Sequence, residues 1–174
     1  MRLGLVRFGR ALLARWKLRR CAAVGDGVRV IGRVCVRGSG EVRLGARVTL
    51  DGGWAPIELH AGAGARLVLG EDVVVGAGTS IEALESVTIG ARVRVGQLCK
   101  IMDNPFHFAR GDRSTRPRST PIVIEADAIL GPRAILLPGA RVGRGATVGA
   151  GSVLTRSVPH GAAAAGVPAV VRKR

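Results

Sequence analysis

Tyrosine is missing from this chain, and phenylalanine and tryptophan bring the aromatic share to only 3%. A core of stacked rings is therefore excluded, as is a row of aromatic platforms of the kind that grips single-stranded nucleic acid. Cysteine is scarce as well. Cys21, Cys35 and Cys99 are odd in number and fit no metal-ligand spacing. They argue against a disulfide framework and for a reducing compartment; Cys35 and Cys99 are expected as small core residues. Acidic groups number 12 against 27 lysines and arginines, a formal charge of +15. That excess attracts anions. No nucleic-acid-binding motif accompanies it, so nucleic acid is not an expected partner. Residues 1–20 are too short and too rich in arginine for a transmembrane span, and they lack the apolar run and small-residue cleavage site of a secretory leader.

What the chain does hold is Val, Ile, Leu, Ala and 26 glycines within its 174 residues. From Ile124 to Pro159 these fall into a period of six: IEADAI, LGPRAI, LLPGAR, VGRGAT, VGAGSV, LTRSVP. A large aliphatic opens each block, at Ile124, Leu130, Leu136, Val142, Val148 and Leu154. The fifth place is mostly small, at Ala128, Ala134, Ala140, Ala146, Ser152 and Val158. Helices repeat near 3.6 residues and simple strands every two, so neither explains a period of six. Short parallel strands joined by tight turns do, with three blocks making one triangular coil of a solenoid. The reading is all-β. Arg133, Arg141 and Arg144 fall at outward places, where exposed turns accept them.

The period does not hold throughout. Residues 1–22 form a basic arm in which Leu5, Phe8, Leu12 and Trp16 recur at helical spacing. A short helix is expected there, either capping the open end of the solenoid or resting on an anionic membrane. From Val24 to Val48 the phase is ambiguous, and Pro56–Arg66 is expected to loosen. Convincing blocks open at Leu44, Leu50, Leu69, Val75, Ile81, Ile89, Val95 and Ile101. The step from Ile81 to Ile89 is eight residues, which places two extra residues at a corner near Glu85–Ser86. After Ile101 the blocks stop for MDNPFHFARGDRSTRPRSTP, so a long loop is expected over 103–121. The solenoid domain is assigned to residues 23–166, and 167–174 to a basic tail.

Ile101-Met-Asp-Asn-Pro-Phe-His107, the restart over Pro121–Pro138, and the closing Gly149–Val171 stretch with GAGSVLTRSVP and AAGVPAVV carry a family resemblance. The chain resembles the hexapeptide-repeat acyltransferases, single-stranded left-handed parallel β-helices, and within them the maltose, galactoside, nodulation and surface-polysaccharide O-acetyltransferases. The likeness runs from about residue 44 to the end. It implies a homotrimer that moves an acetyl group from acetyl-CoA to a hydroxyl, less readily an amine, of a sugar-like acceptor. A cytoplasmic location is expected from the cysteines, with peripheral contact at the inner membrane face through residues 1–20 where the arm is not a cap. Ile129 stands where the family often has Trp, and Glu125 where Gly is common. The short basic arm in place of the maltose-type helical domain points toward a surface-polysaccharide or glycolipid acceptor.

The resemblance gives His107 the role of general base. An imidazole with a near-neutral pKa is suited to taking a proton from an attacking hydroxyl or amine, and direct attack on the thioester needs no acyl-enzyme. Asn104, the only asparagine, suits orienting the acceptor, and Asp103 suits orienting the imidazole or binding a sugar hydroxyl. Both equally suit capping the turn that leaves the coil. Gly131, Gly149, Ser152, Ala165 and Gly166 are implied along the pantetheine, with Arg172 and Lys173 at the CoA phosphates. Arg110, Arg113, Arg116 and Arg118 make the loop basic, which suits CoA phosphates or an anionic acceptor. Two other readings are a non-catalytic scaffold and a zinc carbonic anhydrase of the same solenoid. The latter lacks the close histidine pair of its family, because His60, His107 and His160 lie 47 and 53 residues apart. No metal is expected.

Overall fold

A computed structural model describes residues 18–105 and 117–172. The chain winds as a parallel β-solenoid whose coils each visit three faces. The first coil holds β1 (Ala23–Val24) and β2 (Arg29–Arg37). The second holds β3 (Glu41–Leu44) and β4 (Thr49–Ala61), and the third β5 (Arg66–Leu69), β6 (Val74–Val75) and β7 (Ser80–Ala83). The fourth holds β8 (Ser86–Ile89), β9 (Arg94–Val95) and β10 (Lys100–Met102). After the long loop come β11 (Ile122–Ile124), β12 (Ile129–Leu130) and β13 (Ile135–Leu136), then β14 (Arg141–Val142), β15 (Thr147–Val148) and β16 (Val153–Leu154). A last partial coil enters by a bridge from Val142 to Val158 and ends in β17 (Ala163–Gly166) and β18 (Ala169–Arg172).

On the first face β1, β3, β5, β8, β11 and β14 stack in that order. The second face runs from β4 through β6, β9, β12 and β15 to β17, and the third from β4 through β7, β10 and β13 to β16. Thirteen-residue β4 turns the corner between these two faces and joins them into one sheet. The rows of block-opening aliphatics are the core: Leu44, Leu69, Ile89, Ile124 and Val142 stack on the first face with almost no exposure. Each such side chain contributes about 1.5–3 kcal/mol by leaving water. With two-residue strands this stacking, not strand length, holds one coil to the next.

Several expectations change. The solenoid begins at Ala23, so the ambiguous valine stretch is coil. Pro56–Arg66 does not loosen: Ile57, Leu59 and Ala61 are fully buried along β4. The phase was obscured by coil length, since Leu44 meets Leu69 25 residues on, whereas Ile124 meets Val142 18 residues on. The extra pair after Ile81 sits at Leu84–Glu85, with Ser86 already opening β8. Residues 167–172 are no free tail, because β18 pairs antiparallel with β17. Cys99 is in the core, but Cys35 faces outward opposite Glu58, between inward Val34 and Val36. Burial pushes the Cys21 thiol up to about 11 and raises the Cys99 thiol, so neither is poised as a nucleophile at neutral pH. Of the arm expected as a short helix over residues 1–22, residues 1–17 lie outside the described residues and 18–20 form a turn.

The edge between the first and second faces carries a charge ladder. Arg47, Asp72, Arg92 and Asp127 occupy equivalent left-handed turn positions (φ 57°, 56°, 58° and 65°) on successive coils. Arg47 donates to both Asp72 oxygens at 2.7 and 2.6 Å and to Glu71 at 3.1 Å, and Arg92 to both Asp127 oxygens at 2.6 and 2.9 Å. These hydrogen bonds, aided by the arginine charges, hold both carboxyls below the ordinary carboxylate range. A depressed folded-state pKa contributes stability that is present above the unfolded value, about 4, and lost as pH falls through the folded one. The Asp72→Asn/Asp127→Asn double variant is therefore expected to melt below the wild type at pH 7 and to lose less of its Tm on going from pH 4 to pH 2. Equal Tm losses in the two proteins would remove the ladder from the acid response.

Candidate functional site

Asp103 and Asn104 leave β10 where the long loop departs, and the structure gives both demanding structural partners. Asp103 is fully buried, and its carboxylate accepts from three successive backbone N–H groups, Leu84 at 2.8 Å, Glu85 at 2.8 Å and Ser86 at 2.7 Å. Those are the groups that the two extra residues of the preceding coil turn inward. An array of consecutive amides is a natural anion cradle, and here the anion is the chain's own. Asn104, 1% exposed, donates through Nδ2 to the Pro117 carbonyl at 2.7 Å and to Ser119 Oγ at 3.0 Å. Asn104 therefore ties the loop's departure to its return, and the Thr120 N–H closes the same neck on the Asp103 carbonyl at 2.8 Å. The turn-capping alternative is the one these contacts describe. His107, Arg110, Arg113 and Arg116 lie outside the described residues, as does Lys173.

The residues expected along a pantetheine gather on one edge, between the second and third faces. Gly131 lies over Gly149–Ala150 of the next coil, and a Cβ on Gly131 would sit 2.5 Å from the Ala150 nitrogen. Only glycine allows that approach. Gly149, Ser152, Ala165 and Gly166 come together one step further along: Ser152 Oγ accepts from the Gly166 N–H at 3.1 Å, and a Cβ on Gly149 would stand 3.0 Å from that of Ala165. Arg172 lies apart from this cluster, on β18 opposite Ala163.

This edge also carries residues that the sequence reading did not connect. A groove of about 420 Å³ runs along it, lined by Trp54, Gln97, Leu98, Pro132, Arg133, Ala150 and Gly151. Trp54 belongs to a bulge in which Gly53 to Pro56 stand opposite Arg33 alone, between the pairs Gly32–Gly52 and Val34–Ile57. Leu98 and Arg133 hold left-handed turn positions (φ 57° and 61°), uncommon for side chains of that bulk. The signal that could have found them is their shared place in the repeat, one residue before the small fifth-place residues Cys99 and Ala134. Ile129 is 45% exposed on the second face between Arg94 and Thr147, so its bulk is presented outward. Among the described residues no three His, Cys, Asp or Glu side chains converge as a metal site would require.

Residues 121–156 match the family model described as bacterial transferase hexapeptide (six repeats). Over those residues the chain carries the hexapeptide repeat that this model describes. This hexapeptide-repeat chain is 43% identical over 58 residues to a 2,3,4,5-tetrahydropyridine-2,6-dicarboxylate N-acetyltransferase of Staphylococcus aureus, a match covering 33% of the chain and 24% of the relative. The match thus spans about a quarter of that protein's length. Among solved structures, the N-acyltransferase AntD from Bacillus cereus, in complex with dTDP and 3-hydroxybutyryl-CoA, is similar in fold with a TM-score of 0.74 at 15% identity, covering 92% of this chain and 87% of that one. The hexapeptide-repeat acetyltransferase VCA0836 from Vibrio cholerae, complexed with acetyl-CoA, gives 0.67 at 18% identity over 94% and 76%. These likenesses agree with the left-handed parallel β-helix expected for the hexapeptide repeat.

Proposed function

We propose that this protein is an acetyl-CoA-dependent acetyltransferase acting on a sugar-like acceptor, with His107 as general base. The observation that carries the reading is the convergence of Gly131, Gly149, Ser152, Ala165 and Gly166 on one edge, beside the groove that Pro132, Ala150 and Gly151 help to line, where small residues leave a slender chain access to the main chain. Similarity of fold to proteins solved with acetyl-CoA or an acyl-CoA supports it. In the reaction the acceptor's O–H gives its proton to the His107 imidazole as its oxygen bonds to the thioester carbonyl carbon. The tetrahedral intermediate then collapses, the C–S bond breaks, and the thiolate of CoA leaves and is protonated. A backbone N–H on this edge is a suitable donor to the transient oxyanion. A homotrimer is part of the proposal, with the basic loop reaching a neighbouring copy.

Calorimetric titration with acetyl-CoA tests the reading without knowledge of the acceptor. Saturable binding is expected, weakened about tenfold or more when the 3′-phosphate is removed, because a phosphate pairs strongly with cations such as Arg172 or Lys173. A folded protein that binds neither ligand is a scaffold and not a transferase. An amine acceptor is the second reading, favoured by the name of the Staphylococcus aureus relative, an N-acetyltransferase. Alkaline hydroxylamine separates the two, since it cleaves an acetyl ester and spares an acetamide.

The proposal places the protein in the cytoplasm, at the inner membrane face through residues 1–20. Among the described residues no helix is long and apolar enough to cross a membrane. Leu18 is 2% exposed and part of the core, so the truncation that tests the arm must stop before it. Removing residues 2–16 is expected to abolish sedimentation with vesicles rich in phosphatidylglycerol. Undiminished sedimentation rules out the arm as the membrane contact.

A further inference from the structure

Two edges of the solenoid place side chains at the same left-handed turn position and treat charge in opposite ways. On the edge between the first and second faces, Arg47 and Arg92 are each neutralised by an aspartate one coil away. On the edge between the second and third faces the corresponding residues are Leu98 and Arg133. Among the described residues no acid pairs with the Arg133 guanidinium. Beside them stands Trp54, 63% exposed although a large apolar side chain, held out by the four-residue bulge in β4. An indole face, a leucine shelf, an unneutralised guanidinium and the Gln97 amide thus line one groove of about 420 Å³. That set suits a ring with apolar C–H faces that carries a negative charge: the indole covers the ring, and the guanidinium pairs with the anion.

The axial order agrees. Coils stack about 4.8 Å apart, and the bulge belongs to the second coil, two steps before the one from which the 103–121 loop leaves. The cluster read as the pantetheine track lies on the opposite side of that departure, from Gly131 to Gly166, and Arg133 stands at its near end, where the groove meets it. One edge therefore offers the donor's side toward the C-terminal end and an open, aromatic side toward the other.

We propose that the Trp54 end of this groove takes the acceptor, and that the acceptor is an acidic saccharide. One pyranose ring lies on the indole, and its carboxylate or phosphate meets Arg133. The inference rests on the transferase reading and deepens it by naming the substrate class.

Fluorescence of the Trp16→Phe variant tests it, since Trp16 and Trp54 are the only tryptophans and the variant reports on Trp54 alone. Methyl glucuronoside and glucose 1-phosphate are expected to change its emission saturably, at least tenfold more tightly than neutral methyl glucoside. The two charged probes distinguish carboxylate from phosphate as the preferred anion. Arg133→Gln is expected to erase the preference for charge. Trp54→Ala, followed by saturation-transfer NMR of the probe, is expected to weaken binding about tenfold. Both variants should keep the affinity for acetyl-CoA measured by calorimetry. Absence of any response to the charged probes, or an intact charge preference in Arg133→Gln, overturns the proposal. A parallel loss of acetyl-CoA affinity in both variants also overturns it, by giving the groove to the donor. If acetyl-CoA fails to bind the wild type while the charged probes bind, the transferase reading falls and an acidic-sugar site remains.

Discussion

Alanine at position 107 is expected to lower kcat by roughly a hundredfold to ten-thousandfold, the usual contribution of a positioned proton acceptor. The residue stands in the excursion whose two ends are tied by Asn104 to Pro117 and Ser119. The neck of that excursion is thus fixed at 104 and 117–119, and His107 is only three residues from it. A hydroxyl is a poor nucleophile while it keeps its proton, and no other histidine lies in the loop, since His60 is on β4 and His160 in the last turn. Acetyl-CoA affinity should stay within about threefold, because a general base acts in the transition state and need not hold the donor. Steady-state rates with an identified acceptor, set beside calorimetry with acetyl-CoA, read both quantities. A variant with wild-type kcat would falsify the role of His107 as base.

The second large effect concerns stability. Asp103→Ala is expected to destabilise the fold by about 2–4 kcal/mol, seen as a lower denaturant midpoint at unchanged slope. Its carboxylate satisfies three backbone donors at once, and alanine leaves a void beside them with nothing to accept. The affected groups lie at a partly exposed corner, where water can take up some of the loss, so the expected figure is below the sum of three separate bonds. Asp103→Asn should rescue little, because one of the two oxygens becomes an NH2 group facing amide hydrogens. An unfolding midpoint equal to the wild type in the alanine variant contradicts the structural role. The pair of variants also separates structure from chemistry: a folded Asp103→Asn protein with full kcat has no need of this carboxylate in the reaction.

The sequence made the later coils plain and the earlier ones obscure, for a physical reason. From Ile124 onward each circuit takes 18 residues or close to it, so the inward aliphatics and small turn residues recur at fixed intervals. Earlier circuits carry extra residues at their corners, as in the Trp54 bulge and at Leu84–Glu85, and each addition shifts the phase without disturbing the core row. Parallel stacking tolerates this because adjacent coils match strand to strand and leave the corners free to expand. The candidate site divides the same way. Gly131, Gly149, Ser152, Ala165 and Gly166 lie within 36 residues of one another and carry motif likeness. Trp54, Leu98 and Arg133 meet only because coils far apart in sequence place their corners on one line. The two readings of Asp103 and Asn104 as site residues and as turn caps could not be separated until their hydrogen-bond partners, 13 to 19 residues away, were known.

The coils between the loop and the closing hairpin have a consequence for how such a molecule measures length. On the second face the hairpin of β17 and β18 is separated from β9, on the coil from which the loop departs, by three steps through β12 and β15, each set by the hydrogen-bond spacing of the sheet at about 4.8 Å. Nothing intermediate is available: one added coil would move the two apart by a full step, and one removed would bring them closer by the same amount. A ligand lying along this edge meets a ruler with fixed graduations. Descendants of the chain can change the reach of that ruler by duplicating or losing a coil, while any finer adjustment falls to the side chains at its corners.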